Sequence, residues 1–157
     1  MTALEAYELT TRGGATDFAR LIEACESVGP YCLIGGLAVN CYVEPVYTLD
    51  VNVVASESNL PSLNALASGS ELRIQFTTDG RYQAFPDRAV EAEALGVRVR
   101  IACLEDVTRG KLWAYGDPQR RLSKRKKDEL DLIRLAEAHP ELRSLYPREL
   151  QDQLDRG

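Results

Sequence analysis

Tyr31-Cys32-Leu33-Ile34-Gly35-Gly36-Leu37-Ala38-Val39, answered further on by Thr48-Leu49-Asp50-Val51-Asn52-Val53-Val54-Ala55, is the part of this 157-residue chain that decides its fold. Four consecutive apolar residues, Tyr31 to Ile34, fit a short buried strand. Gly35-Gly36 then makes a tight turn, and Leu37, Ala38 and Val39 can open a helix that cannot run past Glu44-Pro45. From Thr48 to Ala55 β-branched residues alternate with polar ones, which predicts a second strand carrying Thr48, Asp50 and Asn52 on one face. Glycines after a buried strand let backbone N–H groups approach a phosphate closely, and the start of the next helix adds a favourable dipole. A glycine pair also serves as a plain turn, so its surroundings decide between the two readings.

Upstream, Phe18, Leu21, Ile22, Cys25 and Val28 recur at helical spacing, with Thr16 or Asp17 able to cap the start and Gly29-Pro30 ending the helix. Downstream, Asn59-Leu60-Pro61 begins another helix with Leu60, Leu63 and Leu66 inward and Gly69 closing it. Leu72, Ile74 and Phe76 alternate with Arg73, Gln75 and Thr77 as a half-buried strand, and Asp79-Gly80 makes a turn. Between Val90 and Ile101 the Glu and Ala content favours helix, while the alternation favours a β-hairpin around Leu95-Gly96, which is our reading. Helices are predicted for Leu104 to Tyr115, broken by Gly116-Asp117-Pro118, and for about Ser123 to Ala138, with Pro147 in the first turn of a final short one. The order describes an α/β (α+β) chain: a small mixed sheet flanked by helices, with a helical C-terminal third. One domain over residues 1–157 is expected, with a core of about 15–115 and a helical part of about 120–157.

Composition narrows the partners. With 45% hydrophobic and 27% charged residues the chain is neither disordered nor fibrous. Met1 to Arg12 lacks a signal-peptide pattern and no apolar run is long enough for a membrane span, so a cytoplasmic protein without membrane contact is expected. Cys25, Cys32, Cys41 and Cys103 sit in apolar runs without metal-site spacing, and read as buried thiols. The single histidine, His139, at a helix end beside Pro140, reads as an exposed residue facing the helix dipole, which excludes Ser/His or Cys/His catalysis. Trp113, Tyr42, Tyr47, Tyr82 and Phe85 make no basic-aromatic pattern for single strands and read as core or rim. A net charge of −5 argues against generic nucleic-acid affinity. Against that background Arg120, Arg121, Lys124, Arg125, Lys126 and Lys127 form a basic cluster, either a solvated helix face or a seat for a polyphosphate or an RNA end.

Taken together, Gly35, Gly36, Thr48 and Asp50, with the later Leu104-Glu105-Asp106, Lys111, and Lys127-Asp128 followed by Asp131, resemble the nucleotidyltransferase superfamily. The likeness is to its small bacterial branch of minimal nucleotidyltransferases and abortive-infection toxins, over roughly residues 30 to 138. The resemblance implies that fold, a nucleoside triphosphate held at Gly35, Gly36 and Thr48 with help from Lys111 and Lys127, and Mg2+ held by Asp50 and Asn52. It also implies transfer of a nucleotidyl group to an RNA or protein hydroxyl, and a cognate antitoxin as protein partner. On that reading triphosphate binding needs Mg2+, and Asp50→Ala weakens it.

The family chemistry uses a carboxylate cluster to hold two metal ions. Here the second acid is Asn52, and at about 4 Å and an effective dielectric of roughly 20 the missing unit charge forfeits several kcal/mol of attraction for a divalent ion. Gln75 stands about where the third acid is expected, with Asp79 as the substitute if the chain bends it inward. Pro45-Val46-Tyr47 replaces the basic residue often found before the Thr. Lys111 falls on the inward stripe of its helix, as a phosphate ligand or as a packed stem with a snorkelling charge. Lys124, Lys127, Asp128 and Asp131 share one helix face, as nucleotide contacts or as a surface salt-bridge ladder. Three functions stay open: an active nucleotidyltransferase using Asp50 with Asn52 or Asp79, an inactive nucleotide-binding or protein-interaction module of the same fold, and a basic helix that docks an acidic partner.

Overall fold

The computed structural model describes residues 14–68 and 72–157. The chain enters with α1 (Gly14–Val28), then β1 (Tyr31–Ile34) and the short α2 (Gly35–Val39). After a loop come β2 (Asp50–Ala55), α3 (Leu60–Ala67) and β3 (Arg73–Thr77). The hairpin β4 (Val90–Ala94) and β5 (Val97–Ile101) is followed by α4 (Leu104–Tyr115), α5 (Leu122–Ala138) and α6 (Arg148–Arg156). Among the described residues the strands form a single mixed sheet in the order β3-β2-β1-β5-β4. β1 runs antiparallel to β2 and parallel to β5, and β2 runs parallel to β3.

The apolar run predicted for β1 is the central strand, with all four residues buried, so both faces of the sheet are covered at that strand. On α1 the predicted stripe holds: Phe18, Leu21, Ile22 and Cys25 are at most 2% exposed. Each such apolar side chain contributes on the order of 1.5–3 kcal/mol, which fixes a helix too short to persist in isolation. The ambiguous stretch is a hairpin, with Ala92 opposite Val99 and its tip at Leu95 and Gly96. Both tip residues have positive φ, 50° and 77°, the backbone that a two-residue turn needs to match the strand twist. Leu95 adopts it at a cost of about 1–2 kcal/mol.

Several boundaries differ from the sequence reading. α1 begins at Gly14, so Thr16 and Asp17 lie inside its first turn rather than at the cap. β2 begins at Asp50, because the Thr48 hydroxyl oxygen accepts the Asp50 N–H at 3.2 Å and turns the chain before the ladder starts. Pro147 precedes α6 as its cap instead of entering the first turn. His139 is half-buried, its Nε2 3.0 Å from the Tyr42 carbonyl, because the chain after β1 folds against the end of α5. Gly69, the side chain of Leu66 and residues Met1 to Arg12 lie outside the described residues. No described helix is long and apolar enough to cross a membrane.

All four cysteines are free thiols, but only Cys25 and Cys32 are fully buried; Cys41 and Cys103 are partly exposed. Burial, reinforced by Glu26 for Cys25 and by Asp106 for Cys32, pushes both buried thiols up to about 12. Both are therefore neutral and shielded at pH 8. Iodoacetamide at that pH is expected to label Cys41 and Cys103 in the folded protein and to reach Cys25 and Cys32 only in denaturant, as read by peptide mass spectrometry. Native labelling of Cys25 at a rate matching Cys103 would mean that α1 detaches from the sheet.

Candidate functional site

The bend at the end of β1 depends on one glycine more than the other. Gly35 has φ of +71°, and a Cβ built on it would lie 2.6 Å from Asn52 Nδ2. That contact follows from the register, which pairs Ile34 with Asn52 and lays the Asn52 side chain over the turn. Gly36 has ordinary φ, and a Cβ there would meet Thr48 at an unstrained 3.6 Å. α2 has five residues, so the helix dipole expected to favour an anion is short and weak.

Asp50, first residue of β2, faces α5. Its Oδ2 lies 3.1 Å from Lys124 Nζ, and its Oδ1 lies 4.0 Å from Arg73 on β3, the residue paired with it across the sheet. Lys127 follows one turn after Lys124 and also faces the space beside the bend. Behind them lies a chain of buried charges. Lys111 on α4 contacts Asp128 at 3.2 Å and Asp131 at 2.8 Å; Arg120 holds Asp128 at 2.6 Å, and Arg134 holds Asp131 at 2.8 Å. Asp128 is 1% exposed and Lys111 and Asp131 are each 9%, so this is neither a surface ladder nor a snorkelling lysine. Removing one partner from such a cluster strands charge in the interior, which is what makes it rigid.

These elements enclose a cavity of about 200 Å³. Gly36, Thr48, Asp50 and Asn52 form one wall, and Lys111, Arg120, Lys124, Lys127, Asp128 and Asp131 form the other. Four cationic side chains against three carboxylates leave the lining with a net positive charge. The rim is apolar: Val46, Tyr47 and Leu130 are 49%, 59% and 53% exposed.

Of the residues singled out from the sequence, Gly36, Thr48, Asp50, Asn52, Lys111 and Lys127 meet at this cavity, with Gly35 braced behind it by Asn52. Asp79 is not brought there. It lies two residues past Thr77, the partner of Val54, and so at the opposite end of β2 from Asp50. Its carboxylate instead caps the turn Gly80–Tyr82, accepting from Arg81 N at 2.9 Å and from the Arg81 guanidinium at 3.2 Å. Those two bonds hold its carboxyl below the usual carboxylate range. Gln75, standing about where the third acid is expected, pairs with Asn52 across the sheet, but its side chain is exposed. Asp106 is fully buried away from the cavity, bound by Arg88 at 2.8 and 3.2 Å and by Arg109 at 3.2 Å, which is a structural role.

The donor set does not fit the pair of magnesium ions that the resemblance implied. Among the described residues no three Asp, Glu, His or Cys side chains converge as metal ligands. Asp50 is already matched by Lys124, and Asn52 supplies no charge. Sequence reasoning also missed the residues that shape the loop before β2. Asn40 holds Val46 in both directions, at 2.7 and 3.1 Å, and Arg134 donates to the Glu44 carbonyl. Arg120 had a signal, the basic cluster; Asn40 had none.

A five-stranded mixed sheet with a glycine bend closing β1, an acid opening β2 beside it and helices packed around them is the nucleotidyltransferase fold. The solution structure of the antibiotic-resistance factor ANT(2'')-Ia, an aminoglycoside nucleotidyltransferase, is similar to this chain with a TM-score of 0.53 and 16% identity, over 90% of this chain and 95% of that one. At that identity the likeness is one of fold. No protein-family model and no curated protein sequence matches the chain.

Proposed function

We propose that the protein is a binding module of the nucleotidyltransferase fold, which seats the phosphates of a nucleoside triphosphate in the cavity beside Gly36 and performs no transfer. The observation that carries this reading is the state of Asp50: this acid beside the bend is ion-paired with Lys124, and Asn52, where the resemblance expects a second acid, is an amide packed close against Gly35. Nucleotidyl transfer needs unencumbered carboxylates at that point, whereas phosphate binding needs cations and backbone access, which Lys124, Lys127 and Gly36 supply. A cavity of about 200 Å³ is smaller than the roughly 300–1,000 Å³ of a site enclosing a whole drug-sized ligand. The phosphates fit inside, and the sugar and base then rest against the apolar rim of Val46, Tyr47 and Leu130.

Calorimetric titration with the four nucleoside triphosphates is expected to give binding that Lys127→Glu weakens tenfold or more, since one charge-assisted contact contributes about 1.5–3 kcal/mol. Incubation with each labelled triphosphate, Mg2+ or Mn2+ and total RNA is expected to give no label transfer to RNA or to protein. Transfer that Asp50→Ala abolishes would instead establish the enzyme reading.

A further inference from the structure

We propose that Lys124 stands in for the metal ion in this cavity, so that the triphosphate binds as a metal-free polyanion. This rests on the triphosphate reading above and adds to it the ionic form of the ligand. Magnesium bonds carboxylate oxygens at about 2.0–2.1 Å in a strict octahedron. The Lys124 ammonium lies 3.1 Å from Asp50 Oδ2, and Arg73 attends the other oxygen at 4.0 Å. Both oxygens of Asp50, the only carboxylate at the bend among the described residues, thus have a cationic partner. A divalent ion could take its place there only by expelling Lys124, because two like charges a few ångström apart repel more strongly than the ion pair they would replace attracts.

Lys124 is also held where it is. It sits in the first turn of the 17-residue α5, whose next turns are anchored through Asp128 and Asp131 to buried Lys111. No acidic residue occupies that first turn, where Lys124 and its basic neighbours oppose the helix dipole. An incoming phosphate relieves both that mismatch and the surplus positive charge of the lining. Asp50 then acts as a counter-ion that keeps Lys124 in place until the phosphate arrives, and not as a metal ligand.

The two roles of Asp50 predict opposite signs. Titration of the full chain with ATP in EDTA and in excess Mg2+ is expected to show binding in EDTA that Mg2+ weakens about three- to tenfold, because the chelated nucleotide carries less negative charge. In EDTA, Asp50→Asn is expected to tighten binding by freeing Lys124, and Lys124→Ala to weaken it tenfold or more. Both side chains are partly exposed, so melting curves of the variants should stay near that of the parent. Binding that appears only with Mg2+, or that Asp50→Asn weakens, would overturn this inference and leave the triphosphate reading standing. Absence of binding in both media would remove the triphosphate reading and this inference with it.

Discussion

Lys111→Met should lower the free energy of unfolding by about 3 kcal/mol, the lower end of the roughly 3–5 kcal/mol seen when one partner of a buried ion pair is removed. Three contributions set that magnitude. Lys111 is 9% exposed and lies between Asp128 and Asp131, 1% and 9% exposed, so its loss leaves two carboxylates facing each other across an apolar side chain. Arg120 and Arg134 remain on those carboxylates and hold the cost down. Methionine refills most of the lysine stem, so little of the effect is a cavity. Urea titration measures it as a lower midpoint at unchanged slope. Removing one of the two facing carboxylates as well, in Lys111→Met/Asp128→Asn, should recover part of the loss, whereas additive losses would mean that Lys111 contributes by packing alone.

Gly35→Ala is the second large effect, at about 2–3 kcal/mol, and it should damage the cavity as well as the fold. A φ of +71° costs a residue with a Cβ about 1–2 kcal/mol. The added atom would also sit 2.6 Å from Asn52 Nδ2, so the amide must swing away from the bend, and Asn52 is a wall of the cavity. Gly36→Ala provides the control: its Cβ meets Thr48 at 3.6 Å with no strained φ, so stability should change by less than about 1 kcal/mol. Equal melting temperatures for the two variants would show that Asn52 and the turn relax freely.

Much of this was legible in the chain itself. Tyr31 to Ile34 had no polar residue and could only be interior, and Leu95-Gly96 between two alternating runs pointed to a hairpin. The meeting of Gly36, Thr48, Asp50 and Lys127 followed from local periodicity combined with a resemblance. Asp79 escaped because two residues beyond a strand end a turn residue satisfies itself locally, here with Arg81, before it can reach inward. The burial of Lys111 between Asp128 and Asp131 was half visible: spacing put all three on inward-capable stripes, but only the packing of α4 on α5 decides whether opposed charges meet each other or a ligand. Asn40, with one polar side chain closing a loop through Val46, leaves no periodic trace at all.

α5 does two jobs with one rigid body. Its first turns carry Lys124 and Lys127 into the cavity, while Arg134 and His139 at its far end fasten the carbonyls of Glu44 and Tyr42 in the loop that leads to Thr48. A tilt of that rod would withdraw the cations and unlatch the opposite wall in the same stroke. The two walls are thus joined through one helix, and a displacement of α5 bears on both at once.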